Sequence, residues 1–307
     1  MQPRDKLILE FWDRRNRLSI NNKEYADFVQ NFFYFLLKED TKGNDITTNS
    51  IIKKRKKISA AIVAKEKGII AGLDEFSLIN NDLKLKFFKK DGEKIKSGDI
   101  LAEIMGDAKK ILERERISLN LLQRMSGIAA NVHKLNRHLD NKIKLAATRK
   151  TLWGMVDKKA VSIGGGLTHR LNLNDGILIK DNHIKILDGN IENLINYAKD
   201  KSNYIEIEIE DENQAVTAAK VIKEIIGKNK NNKNIFAIMF DKIPPNEIKS
   251  IIGKFKRQNI YDKILFEASG NINEGNMRSY IGCGADIISM GSITNSAKIL
   301  NMSLEIK

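Results

Sequence analysis

YIEIEIEDENQAVTAAKVIKEIIG (204–227), followed after a short polar stretch by IFAIMFD (235–241), sets the architecture of the larger part of this chain. The first seven residues alternate apolar side chains with glutamates. That is the period of a strand, in which successive side chains face opposite sides. The residues after them have helical character, and IFAIMF then supplies a second β-rich run. Strand, helix and strand in that order make a βαβ unit and call for a parallel sheet.

The rhythm repeats on both sides. IKLAAT (143–148), GILIK (176–180), KILFEAS (263–269) and DIISMGS (286–292) are further short strands, and IENLINYAKD (191–200) and PNEIKSIIGKFK (245–256) further helices. The region from Lys142 spans roughly 160 residues, whereas eight full βα units usually need about 250. A smaller or incomplete barrel is therefore expected, with an open doubly wound sheet as the alternative. The earlier part is mixed. YADFVQNFFYFLLKED (25–40) reads as a helix, and residues 59–73 and 82–104 as short strands joined by turns at Lys67-Gly68, Asp91-Gly92 and Ser97-Gly98. Residues 108–139 read as one or two long helices, interrupted at Gly127.

The residues that close each strand are the informative ones. IKLAAT runs into Arg149-Lys150, and GILIK into Lys180-Asp181-Asn182. Glu206, Glu208 and Glu210 share one strand face, IFAIMF ends at Asp241, and the last two runs carry Glu267, Ser269, Gly270, Ser289 and Gly291. GGGLTHR (164–170) adds His169 and Arg170, so two of the four histidines (His169 and His183) fall within 164–184. In a parallel α/β barrel the C-terminal strand ends converge on one rim. One charged strand end is ordinary, but a series of six is not a solubility device. Arginines grip carboxylates in two-pronged fashion while lysines act as movable charges. The Gly/Ser ends of the last strands offer backbone amides to a phosphate. Glu208 and Asp241, on neighbouring strands, suit Mg²⁺, which takes a few carboxylates, water and substrate phosphate oxygens. An anionic, phosphorylated substrate with a divalent metal is the chemistry expected.

Composition sets limits. The chain has 307 residues, 42% hydrophobic and 30% charged, which is the make-up of a globular protein with room for two cores. No apolar run is long enough to span a bilayer, and the charges in MQPRDKLILEFWDRRNR interrupt any signal-peptide core. The single cysteine, Cys283, excludes an internal disulfide and fits a reducing cytoplasm. A net charge of +14 raises nucleic acid as a partner, but aromatics are only 7% and the basic runs, IIKKRKK (51–57) and the Lys/Asn-rich 225–234, are scattered and read as solvated loops and helix ends. There is no GxGxxG, Walker or HExxH pattern.

Taken together, TRKT (148–151), GGGLTHRLNLNDGILIKDNHI (164–184), the EIEIE strand, FDK (240–242), EASGNI (267–272) and ISMGSIT (288–294) resemble the quinolinate phosphoribosyltransferases, the nicotinate-nucleotide pyrophosphorylases (carboxylating). The likeness is nearly continuous from ERERISLNLLQRMSGIA onward and weaker before it. It implies an α/β fold with an N-terminal α/β sandwich, residues 1–122 completed by 293–307, and an incomplete, seven-stranded α/β barrel, residues 123–292. It implies a cytoplasmic homodimer, or a multiple of dimers, that joins quinolinate to phosphoribosyl pyrophosphate with Mg²⁺ and releases pyrophosphate and CO₂. No nucleic acid or membrane partner is implied. The resemblance assigns Arg116, Arg149, His169, Arg170 and Lys180 to quinolinate, with Arg116 reaching the neighbouring subunit's site. It assigns Lys150, Glu208, Asp241, Ser269, Gly270 and Gly291 to the phosphorylated sugar, Glu208 and Asp241 to the metal, and Lys180, Glu208 and Asp241 to catalysis. The chain departs from the family at Ala147, usually an acid, at Trp153, usually proline, and at Asn44, usually glycine. Lys242 replaces an asparagine and Asn295 a histidine. A paralogue with another substrate, of the kind associated with molybdate transport, is the rival expectation, although such proteins tend to lose the LIKDNH stretch that is intact here.

Overall fold

The computed structural model describes residues 3–140, 142–228 and 233–307. Part of the Lys/Asn-rich stretch expected to be a solvated loop, 229–232, lies outside the described residues. The chain forms two compact units: Met1–Arg14, Lys134–Lys150 and Gly166–Ser292 make one, and Arg15–His133, Thr151–Gly165 and Ile293–Lys307 the other. No helix among the described residues is long and apolar enough to cross a membrane.

The first unit is built on a six-stranded parallel sheet. Its spatial order is Lys144–Ala146, Ile287–Ser289, Leu265–Ser269, Ile235–Asp241, Tyr204–Ile209 and Ile177–Ile179. Leu167 extends it by a parallel bridge to Ala146, with its amide donating to the Leu145 carbonyl (2.8 Å) and its carbonyl accepting from Ala147 N (2.9 Å). Among the described residues the sheet thus has six strands and a bridge, consistent with an incomplete barrel. The helix Glu212–Lys228 follows the 204–209 strand, and Pro245–Arg257 the next, as the βαβ rhythm requires.

Residues 3–14 group with this sheet. The helix Pro3–Trp12 puts Ile8, Phe11 and Trp12 into a core with Ala146, Leu167, Ala237, Leu265 and Ile287. Ala237, Leu265 and Ile287 lie near the starts of their strands, away from the charged ends. Complete burial of a side chain as large as Trp12 is worth about 3 kcal/mol. Arg4 ties the helix down by a two-pronged contact to Asp286 (2.6 and 2.7 Å).

The second unit contains an antiparallel sheet in the order Met302–Ile306, Lys57–Ala64, Ile100–Asp107 and Lys84–Phe87, so a C-terminal strand closes a sheet begun by residue 57. The helix Lys23–Thr41 starts at Asn22, whose side chain accepts from Tyr25 N. The helix Ala108–His138 is continuous, contrary to the expected interruption. Gly127 is there for space: a Cβ on it would come within 2.0 Å of the Lys298 carbonyl oxygen. Trp153, a departure from the family, also has a place here. It packs edge-on against Phe32 and Phe33 and under the Arg124 guanidinium.

Candidate active site

Because parallel strands present their C-terminal ends together, the charged termini read from the sequence meet around one cleft of about 430 Å³. Arg149, Lys150, His169, Arg170, Lys180, Glu208, Asp241, Ser269 and Gly270 all line it. Gly291 stands beside Lys150, whose Cδ would lie 2.9 Å from a Cβ at that glycine. Gly270 has φ +83°, and a Cβ on it would press within 2.5 Å of Asp241 Oδ1. Arg116 does not line the cleft: it belongs to the second unit, exposed on the helix Ala108–His138.

The strand Tyr204–Ile209 arranges its acids by depth. Glu206 and Glu208 are buried, and Glu210 just beyond is exposed. Glu208 accepts from Lys180 Nζ at 2.6 Å, joining two neighbouring strand ends. On the next strand Asp241 pairs with Lys242 (2.9 Å). The loop after Leu167 is pinned through its backbone. Thr168 Oγ1 accepts from Arg14 N (2.7 Å), and His169 N donates to the Trp12 carbonyl (2.7 Å). His169 is thereby held at φ +55°, a conformation that costs a non-glycine residue energy and needs such supports. Arg170 Nη1 donates to the Gly176 carbonyl (3.0 Å). Burial, then the charge of Arg149, lowers the pKa of its guanidinium below the usual value.

Beneath these groups lies a buried triad that the assigned set only partly contains. His169 Nε2 is 3.0 Å from Glu267 Oε2 and 3.3 Å from Glu206 Oε2. Trp12 Nε1 donates to Glu206 Oε1 (3.3 Å), and Ser289 Oγ to Glu267 Oε1 (2.5 Å). Burial opposes a charged imidazole, but Glu267 and then Glu206 outweigh it and raise its pKa to about 9. The Arg170 amide, 2.9 Å from Nδ1, favours the neutral ring with Nδ1 as acceptor, whereas the two carboxylates at Nε2 favour the charged one, so the proton is shared across the ring and its carboxylates. Glu206 is placed to take it, since burial and then Glu267 raise its pKa to about 7. Among the described residues this is the cluster whose possible metal ligands come within 4.8 Å of one another. Its atoms satisfy each other internally, and it lacks the open, all-oxygen character of a Mg²⁺ site. The sequence signal for Glu206 was its shared face with Glu208. Trp12 had none.

The arrangement separates two kinds of chemistry. Arg149, Arg170, Lys180 and the His169 ring offer cations and a polarised ring to a flat anion. Lys150 and the Ser269–Gly270 turn bring a further cation and backbone amides to the cleft, and Glu208 and Asp241 bring two carboxylates.

The chain has clear relatives. A family model described as quinolinate phosphoribosyl transferase, C-terminal domain, matches residues 128–305, and its N-terminal counterpart matches 45–126. A probable nicotinate-nucleotide pyrophosphorylase (carboxylating) of Bacillus subtilis is 36% identical over 297 residues, 94% of this chain and 95% of that one. The protein of the same name from Methanothermobacter thermautotrophicus is 35% identical over 282 residues, 89% of this chain and 96% of that one. Among solved structures, the nicotinate-nucleotide pyrophosphorylase of Ehrlichia chaffeensis is 32% identical with a TM-score of 0.75, covering 90% of this chain and 98% of its own. That of Francisella tularensis is 27% identical with a TM-score of 0.77, covering 92% and 97%.

Proposed function

This chain belongs to the quinolinate phosphoribosyltransferase family, and from that premise we propose that it transfers phosphoribosyl from phosphoribosyl pyrophosphate to quinolinate with loss of the 2-carboxylate, giving nicotinate mononucleotide, pyrophosphate and CO₂ for NAD biosynthesis. The observation that carries the reading is the cleft itself, where arginines, lysines, a Gly/Ser turn and two acids gather at the strand ends of one sheet.

Arg149 and Arg170 hold the carboxylates of quinolinate, with Lys180 and His169 beside the ring. Lys150, Ser269, Gly270 and Gly291 hold the phosphorylated sugar. The ring nitrogen attacks the anomeric carbon as pyrophosphate departs, and Glu208 and Asp241 stabilise the positive charge that builds on the sugar. The cations around the ring then stabilise the electron pair left at its 2-position as CO₂ leaves, and that carbon takes a proton in its place. The pair Glu208 and Asp241, hard oxygen donors on adjacent strand ends, fits Mg²⁺. When bound, the ion neutralises charge on the diphosphate leaving group.

By likeness to the family, the protein is a homodimer, or a multiple of dimers, in which Arg116, exposed on the helix Ala108–His138, completes the neighbour's site. A reducing cytoplasm suits the buried free thiol of Cys283. The test is direct. Purified protein with quinolinate, phosphoribosyl pyrophosphate and Mg²⁺ should yield nicotinate mononucleotide and CO₂ in equal amounts. A folded protein that forms neither, yet turns over another aromatic acid, would refute the assignment.

A further inference from the structure

Lys242 stands outside the residues assigned by family resemblance, where asparagine usually follows the strand-end acid, yet it lines the same cleft. Its backbone sits at φ +59°, fixed by its amide donating to the Ser269 carbonyl (2.9 Å). That turn aims Nζ at Asp241 Oδ2, 2.9 Å away. Lys180 makes the matching contact to Glu208 at 2.6 Å. Both acids assigned to the sugar and the metal therefore carry an ammonium supplied by this chain.

The two lysines differ in freedom. The Lys242 side chain is 61% exposed against 43% for Lys180, and its ion-pair partner, Asp241, is 15% exposed. Lys242 is thus tethered at a fixed turn while its flexible stem and compact charge can move. An asparagine in the same backbone conformation could offer an amide but no charge.

We propose that Lys242 is a built-in cation for the diphosphate end of the substrate. It holds Asp241 until a diphosphate enters, then passes its ammonium to a diphosphate oxygen and leaves Asp241 to face the sugar and the divalent ion. The inference rests on the proposed phosphoribosyltransferase reading of the cleft. It has two consequences: diphosphate binds to this protein without a divalent ion, and a divalent ion alone must compete with Lys242 for Asp241.

The experiment is calorimetric titration of inorganic pyrophosphate into the full chain, wild type, Lys242→Asn and Lys242→Arg, in EDTA and again in Mg²⁺. Binding of Mn²⁺ alone, followed by water-proton relaxation, is the second readout. In EDTA, Lys242→Asn should bind pyrophosphate about tenfold more weakly, the scale of one charge-assisted hydrogen bond, while Lys242→Arg stays within about threefold. In Mg²⁺ the deficit should shrink to about twofold, and Mn²⁺ alone should bind Lys242→Asn several-fold more tightly. Equal affinities of wild type and Lys242→Asn in EDTA, or a wild type that binds pyrophosphate only with Mg²⁺, overturn the inference and leave the reading of the cleft intact. A wild type that binds pyrophosphate in neither buffer overturns both.

Discussion

Replacing Arg170 with alanine separates the two ends of the cleft. The arginine is buried at the mouth of a short loop, its Nη1 held by the Gly176 carbonyl at 3.0 Å. Its guanidinium is destabilised first by burial and then by Arg149. A dicarboxylate relieves the second penalty by placing negative charge between the two cations, and it gains a two-pronged, charge-assisted contact. Such a contact is worth about 1.5–3 kcal/mol, which converts to a roughly 10- to 150-fold loss of quinolinate affinity in Arg170→Ala. Arg170→Lys keeps the charge but not the fork and should fall between the two. Titration calorimetry with quinolinate, and separately with inorganic pyrophosphate plus Mg²⁺, measures both ends in one protein. Pyrophosphate affinity should stay within about twofold. A quinolinate affinity within twofold of wild type, or an equal loss for both ligands, would show that Arg170 does not form the dicarboxylate clamp.

Three other outcomes are expected. Asp157 is fully buried and accepts from Arg124 twice (2.7 Å each) and from the amides of Leu152 (2.9 Å) and Trp153 (3.1 Å). Asp157→Ala strands the Arg124 charge and should cost about 3–5 kcal/mol in urea unfolding, with Arg124→Met/Asp157→Leu recovering most of it; no recovery in the double variant would contradict this account. Glu206 ionises near 7 in the folded protein against an ordinary 4.5, so its protonated form favours the fold. Its contribution is present below the ordinary carboxylate pKa and is lost as pH rises through the raised one. Glu206→Gln should flatten the fall in melting temperature between pH 5 and 8, and an unchanged slope would count against the triad as described. Finally, Arg116→Ala and Lys180→Ala subunits, each inactive alone, should regain activity when mixed into verified heterodimers. Continued inactivity of such heterodimers would exclude a shared site.

Strand ends were the legible part of the site. Lys180, Glu208 and Asp241 each close a β-rich run, and a parallel sheet leaves such residues nowhere to go but the rim, so composition and period suffice to group them. Depth along a strand was less legible. Alternation puts Glu206 and Glu208 on one face, but only the neighbours decide that one meets a lysine and the other a buried histidine. Gly127 misled for a similar reason. A glycine inside a helical pattern signals either a break or a close approach, and the approaching backbone of Lys298 lies far away in sequence. The six runs read from the sequence are the six strands of the parallel sheet, and the bridge at Leu167 had no signal in the residue pattern. The acid usually found at position 147 has no counterpart: Ala147 is fully buried, and nothing in the structure accounts for the change.

The helix Pro3–Trp12 has a consequence for how the protein is made. Its apolar face is covered by Leu265 and Ile287 among others, residues made long after the helix itself. At about 5–20 residues per second, the helix waits on the order of tens of seconds with Ile8, Phe11 and Trp12 uncovered. The barrel unit therefore cannot close in the order in which it is translated, because this helix is covered only once the later strands arrive.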